Sequence, residues 1–219
     1  MKSIIAVSAV SLLLAACGGG GGGSSANVTA NTTVFSHSTA RTYDSGYNKT
    51  ITVNASDNRG YTYSGTVSAT TTDNVSFNNN VTVRGTMLTA IQRNDGAWAN
   101  GTSYSYYSRD PADRRVLGMT LDTRDNASTY YPLDTHALPT TATPGASGSF
   151  GNYTNTTGST AYGSWSLDAG TNGNGILRVI WRHGSDMTYQ NTTITPTGDI
   201  VTLEGSSTIG NFTVTMTGQ

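Results

Sequence analysis

The sequence predicts an all-β chain, an antiparallel meander of about ten strands forming a soluble β-barrel, half-barrel or sandwich. Three observations predict it. Apolar and polar residues alternate with a period of two over several stretches, the pattern of a strand with one buried face. Clusters of Asn, Asp and Gly punctuate those stretches at hairpin spacing. Tyr and β-branched residues are abundant, and no helical period runs beyond about two turns.

In chain order, Ile51-Val53-Ala55 opens the series and Asp57-Asn58-Arg59-Gly60 follows as a turn. Over residues 61–70, Tyr61, Tyr63, Val67 and Ala69 share one face while hydroxyls occupy the other, so this strand is half-buried. Asp73-Asn74 reads as the next turn, Val81-Val83 as a strand and Asn94-Asp95-Gly96 as another turn. Asp110 before Pro111 is suited to cap one short helical turn, because proline's missing N–H costs nothing at the first helical position. Leu117-Met119-Leu121 alternates again. Residues 132–148 hold three of the five prolines and read either as a long crossing or as a linker between two subdomains, 28–131 and 149–219. Beyond it Leu177-Val179-Trp181, Met187-Tyr189 and Phe212-Val214-Met216 alternate. Their turns fall at Asn172-Gly173-Asn174-Gly175, His183-Gly184 and Pro196-Thr197-Gly198-Asp199.

An outer-membrane barrel has the same alternation but carries an apolar band on its outward face. Here that face carries Thr62, Ser64, Thr66 and Ser68, and later Thr213, Thr215 and Thr217. Such a face belongs in water.

The amino terminus has a separate logic. Lys2 precedes an apolar, small-residue run ending at Ala16, long enough for a secretory signal and too short to span a bilayer. Cys17, the only cysteine, follows at once, and residues 18–23 are glycines followed by Ser24-Ser25. Glycines and serines of this kind form a flexible tether rather than a packed element. Leu14-Ala15-Ala16-Cys17 resembles the lipobox of bacterial lipoproteins, an aliphatic residue and two small residues before cysteine. The resemblance covers residues 1 to about 18 and names no family for the rest of the chain. It implies that 1–16 is a signal peptide cut between Ala16 and Cys17, with acyl chains such as palmitate on Cys17. Residues 17–27 would be the lipidated linker, 28–219 the β region, and Gly18 in place of Asp would direct the protein to the outer membrane. Two or three acyl chains make such attachment effectively permanent. In that setting the Asn-x-Ser/Thr triplets running from Asn27 to Asn211 read as composition and not as glycosylation sites.

Composition narrows the function. Twelve basic side chains against thirteen acidic ones leave no electrostatic footprint for nucleic acid. His37, His136 and His183 lie in unrelated contexts without metal-ligand spacing, and no catalytic group, metal or cofactor is assigned. His183 has Ser185 and Asp186 beside it, but neighbours in one turn seldom reach triad geometry. The loop from Asp168 to Gly175 carries oxygen ligands and glycines as calcium loops do, but Val179 stands where the closing carboxylate would be needed. Glu204 is the only glutamate, so paired-carboxylate glycosidase chemistry would rest on aspartates alone.

The candidate contact surface is the densest charge in the chain, at Arg109, Asp110, Asp113, Arg114, Arg115, Asp122, Arg124 and Asp125. It is flanked by Tyr104, Tyr106, Tyr107, Tyr130 and Tyr131, and tyrosine beside arginine is a combination that contact surfaces favour. The expectation is a non-enzymatic, lipid-anchored outer-membrane module. Its partner would be an apolar or glycan ligand in the concavity of a curved sheet, or an envelope protein, with the membrane held through Cys17. A structural or adhesive surface protein without a pocket is the second reading and an envelope hydrolase the third.

Overall fold

The computed structural model describes residues 32–36, 46–123 and 126–219. Ala16, Cys17, the glycine tether and His37 lie outside the described residues. The strands are β1 (Phe35–Ser36), β2 (Asn48–Asp57), β3 (Thr62–Phe77), β4 (Asn80–Arg93), β5 (Trp98–Tyr107), β6 (Val116–Thr123) and β7 (Asn126–Pro132). They continue with β8 (Thr141–Ala142), β9 (Ser147–Asn155), β10 (Thr160–Ala169), β11 (Gly175–His183), β12 (Asp186–Ile194), β13 (Ile200–Ile209) and β14 (Phe212–Gly218). Twelve of them close into one antiparallel barrel, in the order β10-β11-β12-β13-β14-β2-β3-β4-β5-β6-β7-β9, while β1 pairs with β8 in a small separate sheet. Strands from both sides of the proline-rich segment share this barrel, because β7 pairs with β9 and β14 pairs with β2.

The inward face explains the closure. Two apolar clusters fill it, each drawn from neighbouring strands. One gathers Ile51, Val53, Tyr63, Val67, Ile91, Leu203, Val214 and Met216. The other gathers Met119, Phe150, Tyr153, Trp165, Leu167, Leu177, Val179 and Trp181. Between them, on β12, the inward positions before the buried Ile194 are polar: Gln190 donates to Thr192 Oγ1 at 2.6 Å and Thr188 meets Ser207 at 3.1 Å. Met187 and Tyr189, expected to mark the buried face of this strand, therefore point outward, and their alternation is real but inverted.

The largest side chains fit because glycines face them. Trp181 lies parallel to Phe150 (centroids 5.7 Å apart) and edge-on to Tyr153, and a Cβ on Gly163 would fall 2.7 Å from its indole. The fully buried Tyr153 hydroxyl donates to the carbonyls of Val116 and Phe150, so no polar group is left unpaired there.

The outer wall carries the hydroxyls. Cross-strand pairs such as Thr50 with Ser68, Thr120 with Thr129 and Thr202 with Thr193 lie within 3.0 Å. Side-chain pairs of this kind stabilise a sheet by about 0.2–1 kcal/mol each. No helix among the described residues is long and apolar enough to cross a membrane.

Two local expectations are corrected. Asp73-Asn74 is not a turn but a bulge inside β3, with Asn74 at φ 57°, and the turn falls at Asn78-Asn79, both at positive φ. The hairpin of β3 and β4 is thereby longer than the sequence pattern suggests. Leu117 is the extra residue of a second bulge, so Val116 and Met119, not Leu117, carry the buried face of β6. The capped turn does form, as a single 3-10 turn at Pro111–Asp113 with the Asp110 carboxylate accepting from the Ala112 amide.

Candidate functional site

One end of the barrel is closed by short hairpins and the other by a lid. The lid is residues 133–146 together with β1. Leu133 and Asp134 donate their amides to the Asn152 carbonyl and His136 to that of Phe150, so the segment starts along β9. It then crosses the barrel end, where Leu138 donates to the Arg114 carbonyl, and returns to Leu167, which bonds Gly145 and Ala146. Leu138, Ala142 and Phe35 drop into the second apolar cluster. The proline-rich stretch thus runs along β9, crosses the barrel end and returns to β10. Asp134 pins its start: Asn152 donates its side-chain nitrogen at 2.8 Å and its amide at 2.6 Å, and these bonds hold the carboxyl below its ordinary pKa.

A groove of about 600 Å³ runs between this lid and the edge of β9 and β10. Such a volume falls within the range of small-molecule sites. Val34, Pro139, Ala142 and Ala146 supply an apolar side, and Thr141, Thr143, Ser147 and Ser149 supply hydroxyls. His136 stands at its edge and Trp165 at its base. None of its lining residues is Asp, Glu, Lys or Arg. Gly148 lets the buried Trp165 pack against β9: a Cβ there would lie 2.8 Å from Trp165 Nε1, so only glycine admits the indole this closely. Ser149 is held by its own bonds, donating to the Gly163 carbonyl and accepting from the Gly151 amide.

The tyrosines and arginines expected to form a contact surface are divided by the barrel wall. Tyr107 and Tyr130 take inward positions, and burial pushes the Tyr107 hydroxyl up to about 12. Tyr104, Tyr106 and Tyr131 are on the outside. There the bulged tip of the β3–β4 hairpin bends over the wall, and Phe77 inserts between Tyr106 and Tyr131 with ring centroids 3.9 and 5.7 Å away. Gly118 is the floor of this slot, since a Cβ there would strike Phe77 at 2.5 Å. These ring faces hold the hairpin tip down. Arg84 lies over the Tyr104 ring at 5.0 Å. Arg109 pairs with Asp73, Arg115 with Asp113, and Arg114 is buried with its guanidinium on the Ser108 carbonyl. The arginines thus brace the β5–β6 loop and the hairpin tip. Side chains of residues 121–127, including Asp122, Arg124 and Asp125, lie outside the described set.

The other candidates are likewise engaged. The Asp168 carboxylate is paired with Arg178, which leaves the glycine-rich hairpin after it without that ligand. Among the described residues no three His, Cys, Asp or Glu side chains gather as a metal would require. His183 turns inward, edge-on to Tyr130, and burial lowers its pKa, with Asp186 opposing in part. Ser185 reaches toward Asp186, whose carboxylate also accepts from the Gly210 amide.

At the hairpin end Asp57 is the organising group, missed in the sequence because it reads as a turn residue. Its buried carboxylate accepts from Arg59 twice, from the Arg59 and Tyr61 amides and from the Tyr63 hydroxyl. Arg59 and Arg93 stack on Tyr61, and Arg59 also covers Phe212, sealing that end of the first apolar cluster.

The fold and groove define a closed twelve-strand antiparallel barrel with a lid-side groove. No family model, curated protein or solved structure matches the chain, so its function rests on its own residues.

Proposed function

We propose that this chain is an acyl-anchored, non-enzymatic binding module of the bacterial envelope, held at the outer membrane through Cys17. The barrel fold is compatible with a binding or a structural module. The observation that carries the binding reading is the groove between the lid and β9–β10, a recess whose base and sides come from different parts of the chain. Aromatic and aliphatic side chains fill both inner clusters, so the ligand site proposed is at the lid and not in the barrel's concavity. The lipobox resemblance and the glycine tether support the anchor, and the hydroxyl-covered wall suits a barrel kept in water beside a membrane.

The filled interior also favours a second reading, a structural or adhesive surface protein that presents its Thr- and Ser-rich wall. One experiment addresses the anchor. Wild type and Cys17→Ala are expressed in a diderm bacterium, fractionated and weighed intact. The proposal expects acylated wild type in the membrane fraction, and a variant without acyl mass that is unprocessed or untethered. A Cys17→Ala protein that is processed and membrane-bound like wild type overturns it.

A further inference from the structure

We infer that the lid end of the barrel is the face turned to the bilayer, an inference that rests on the acyl-anchor reading and gives the anchored protein its orientation. The chain that leads back to Cys17 joins the barrel at that end. Phe35 is fully buried in the second apolar cluster, β1 pairs with β8 of the lid, and the Ser36 amide donates to the Pro196 carbonyl. Fourteen residues, 18–31, separate Cys17 from Thr32, where the described chain begins. A glycine-rich chain of that length spans about 20 Å root-mean-square. A ten-residue strand such as β10, tilted in a barrel, rises about 25 Å, so the hairpin end lies farther from the anchor than the tether's ordinary span.

The surface at the lid end suits that contact. Leu133, at the start of the lid, is 63% exposed, Val34 53%, and Val81, on the hairpin tip that bends over the wall there, 56%. Ala137 and Pro139 are exposed on the lid itself. Residues 133–146 contain no Lys, Arg or Glu, and the carboxylate of their one aspartate, Asp134, already accepts twice from Asn152. Pressing this segment against lipid therefore strips water from no unpaired carboxylate, ammonium or guanidinium. The β5–β6 loop nearby is charged, but Arg109 and Arg115 are paired with Asp73 and Asp113. A few aliphatic side chains bind lipid weakly by themselves. Held by a short tether they act at a high effective concentration, so the contact belongs to the acylated protein.

The test uses the mature acylated protein, its acyl mass verified first, labelled with nitrogen-15 and placed in bilayer nanodiscs of phosphatidylethanolamine and phosphatidylglycerol that carry a nitroxide on the lipid headgroup. The expected result is loss of the amide signals of Val34, Leu133, Ala137 and Thr141, with those of Asn58, Asp95, Trp98 and Asn211 retained. Trp98 is the sharpest control, because it is 60% exposed at the hairpin end and would itself favour a membrane surface. The Val34→Asp/Leu133→Asp variant, altered only at exposed positions, should fold as wild type, remain acylated and regain most of the lost signals. Equal losses at both ends, losses at the hairpin end alone, or losses unchanged in the aspartate variant overturn the inference while the anchor stands. A wild-type protein without acyl mass removes the anchor reading, and the inference with it.

Discussion

Replacing Asp57 with asparagine tests the account of the hairpin end. The Asp57 side chain is fully shielded from solvent, and burial by itself would raise its pKa. The bonds from Arg59 and Tyr63, then those from the Tyr61 and Arg59 amides, outweigh that cost and hold it at about 2, against an ordinary 3.8. A depression of this size corresponds to about 2 kcal/mol of folding stability. Because the folded-state pKa is the lower one, that contribution is complete above the unfolded pKa and is lost as pH falls from about 4 toward 2. In Asp57→Asn the side chain would keep an oxygen for the two amides but place an NH₂ against the Arg59 guanidinium, where a second oxygen now accepts. The expected destabilisation near neutral pH is about 2–4 kcal/mol. Urea unfolding of both proteins near neutral pH and near pH 2 reads it, and the gap between them should narrow by about 2 kcal/mol at the acid end. A gap below about 0.5 kcal/mol near neutral pH, or one that is unchanged in acid, would refute the reasoning.

Other perturbations probe the remaining structure. Gly163→Val puts a side chain where the Trp181 indole sits 2.7 Å away, and should cost about 2–4 kcal/mol in urea unfolding. Phe77→Ala empties the slot between Tyr106 and Tyr131; it should speed amide exchange at residues 75–82 while leaving protection in β11 unchanged. Leu138→Ala removes a nearly inaccessible side chain that fastens the lid, and should cost about 2–4 kcal/mol with the fastest exchange across 133–146.

The strands most legible in the sequence are those whose inward residues are aliphatic or aromatic throughout, such as Ile51-Val53-Ala55 in β2 and Leu177-Val179-Trp181 in β11. β5 and β10 escape the same reading because glycine occupies inward positions, at Gly101 and Gly163. In β10 the volume is supplied from a neighbour, Trp181 lying over Gly163, so the apolar period is broken where the packing is tightest. β12 misleads for the opposite reason: Met187 and Tyr189 form a visible stripe, but the polar seam of Gln190 and Thr192 faces inward.

The site was less legible than the fold. Tyr104 to Arg115 drew attention by composition, which cannot tell which side of the wall each residue takes. The groove is assembled from Val34, the proline-rich crossing and Trp165, far apart in sequence and individually bland. The only local signal was the cluster of three prolines in 132–148, which marked a segment with a path of its own.

The central claim is a tethered barrel that carries a ligand, and native mass spectrometry of the protein taken gently from its own envelope tests it most directly. The account predicts two or three acyl chains on a chain beginning at Cys17, with a further non-covalently bound species. A chain that retains residues 1–16, or lacks acyl mass and carries nothing, would contradict it.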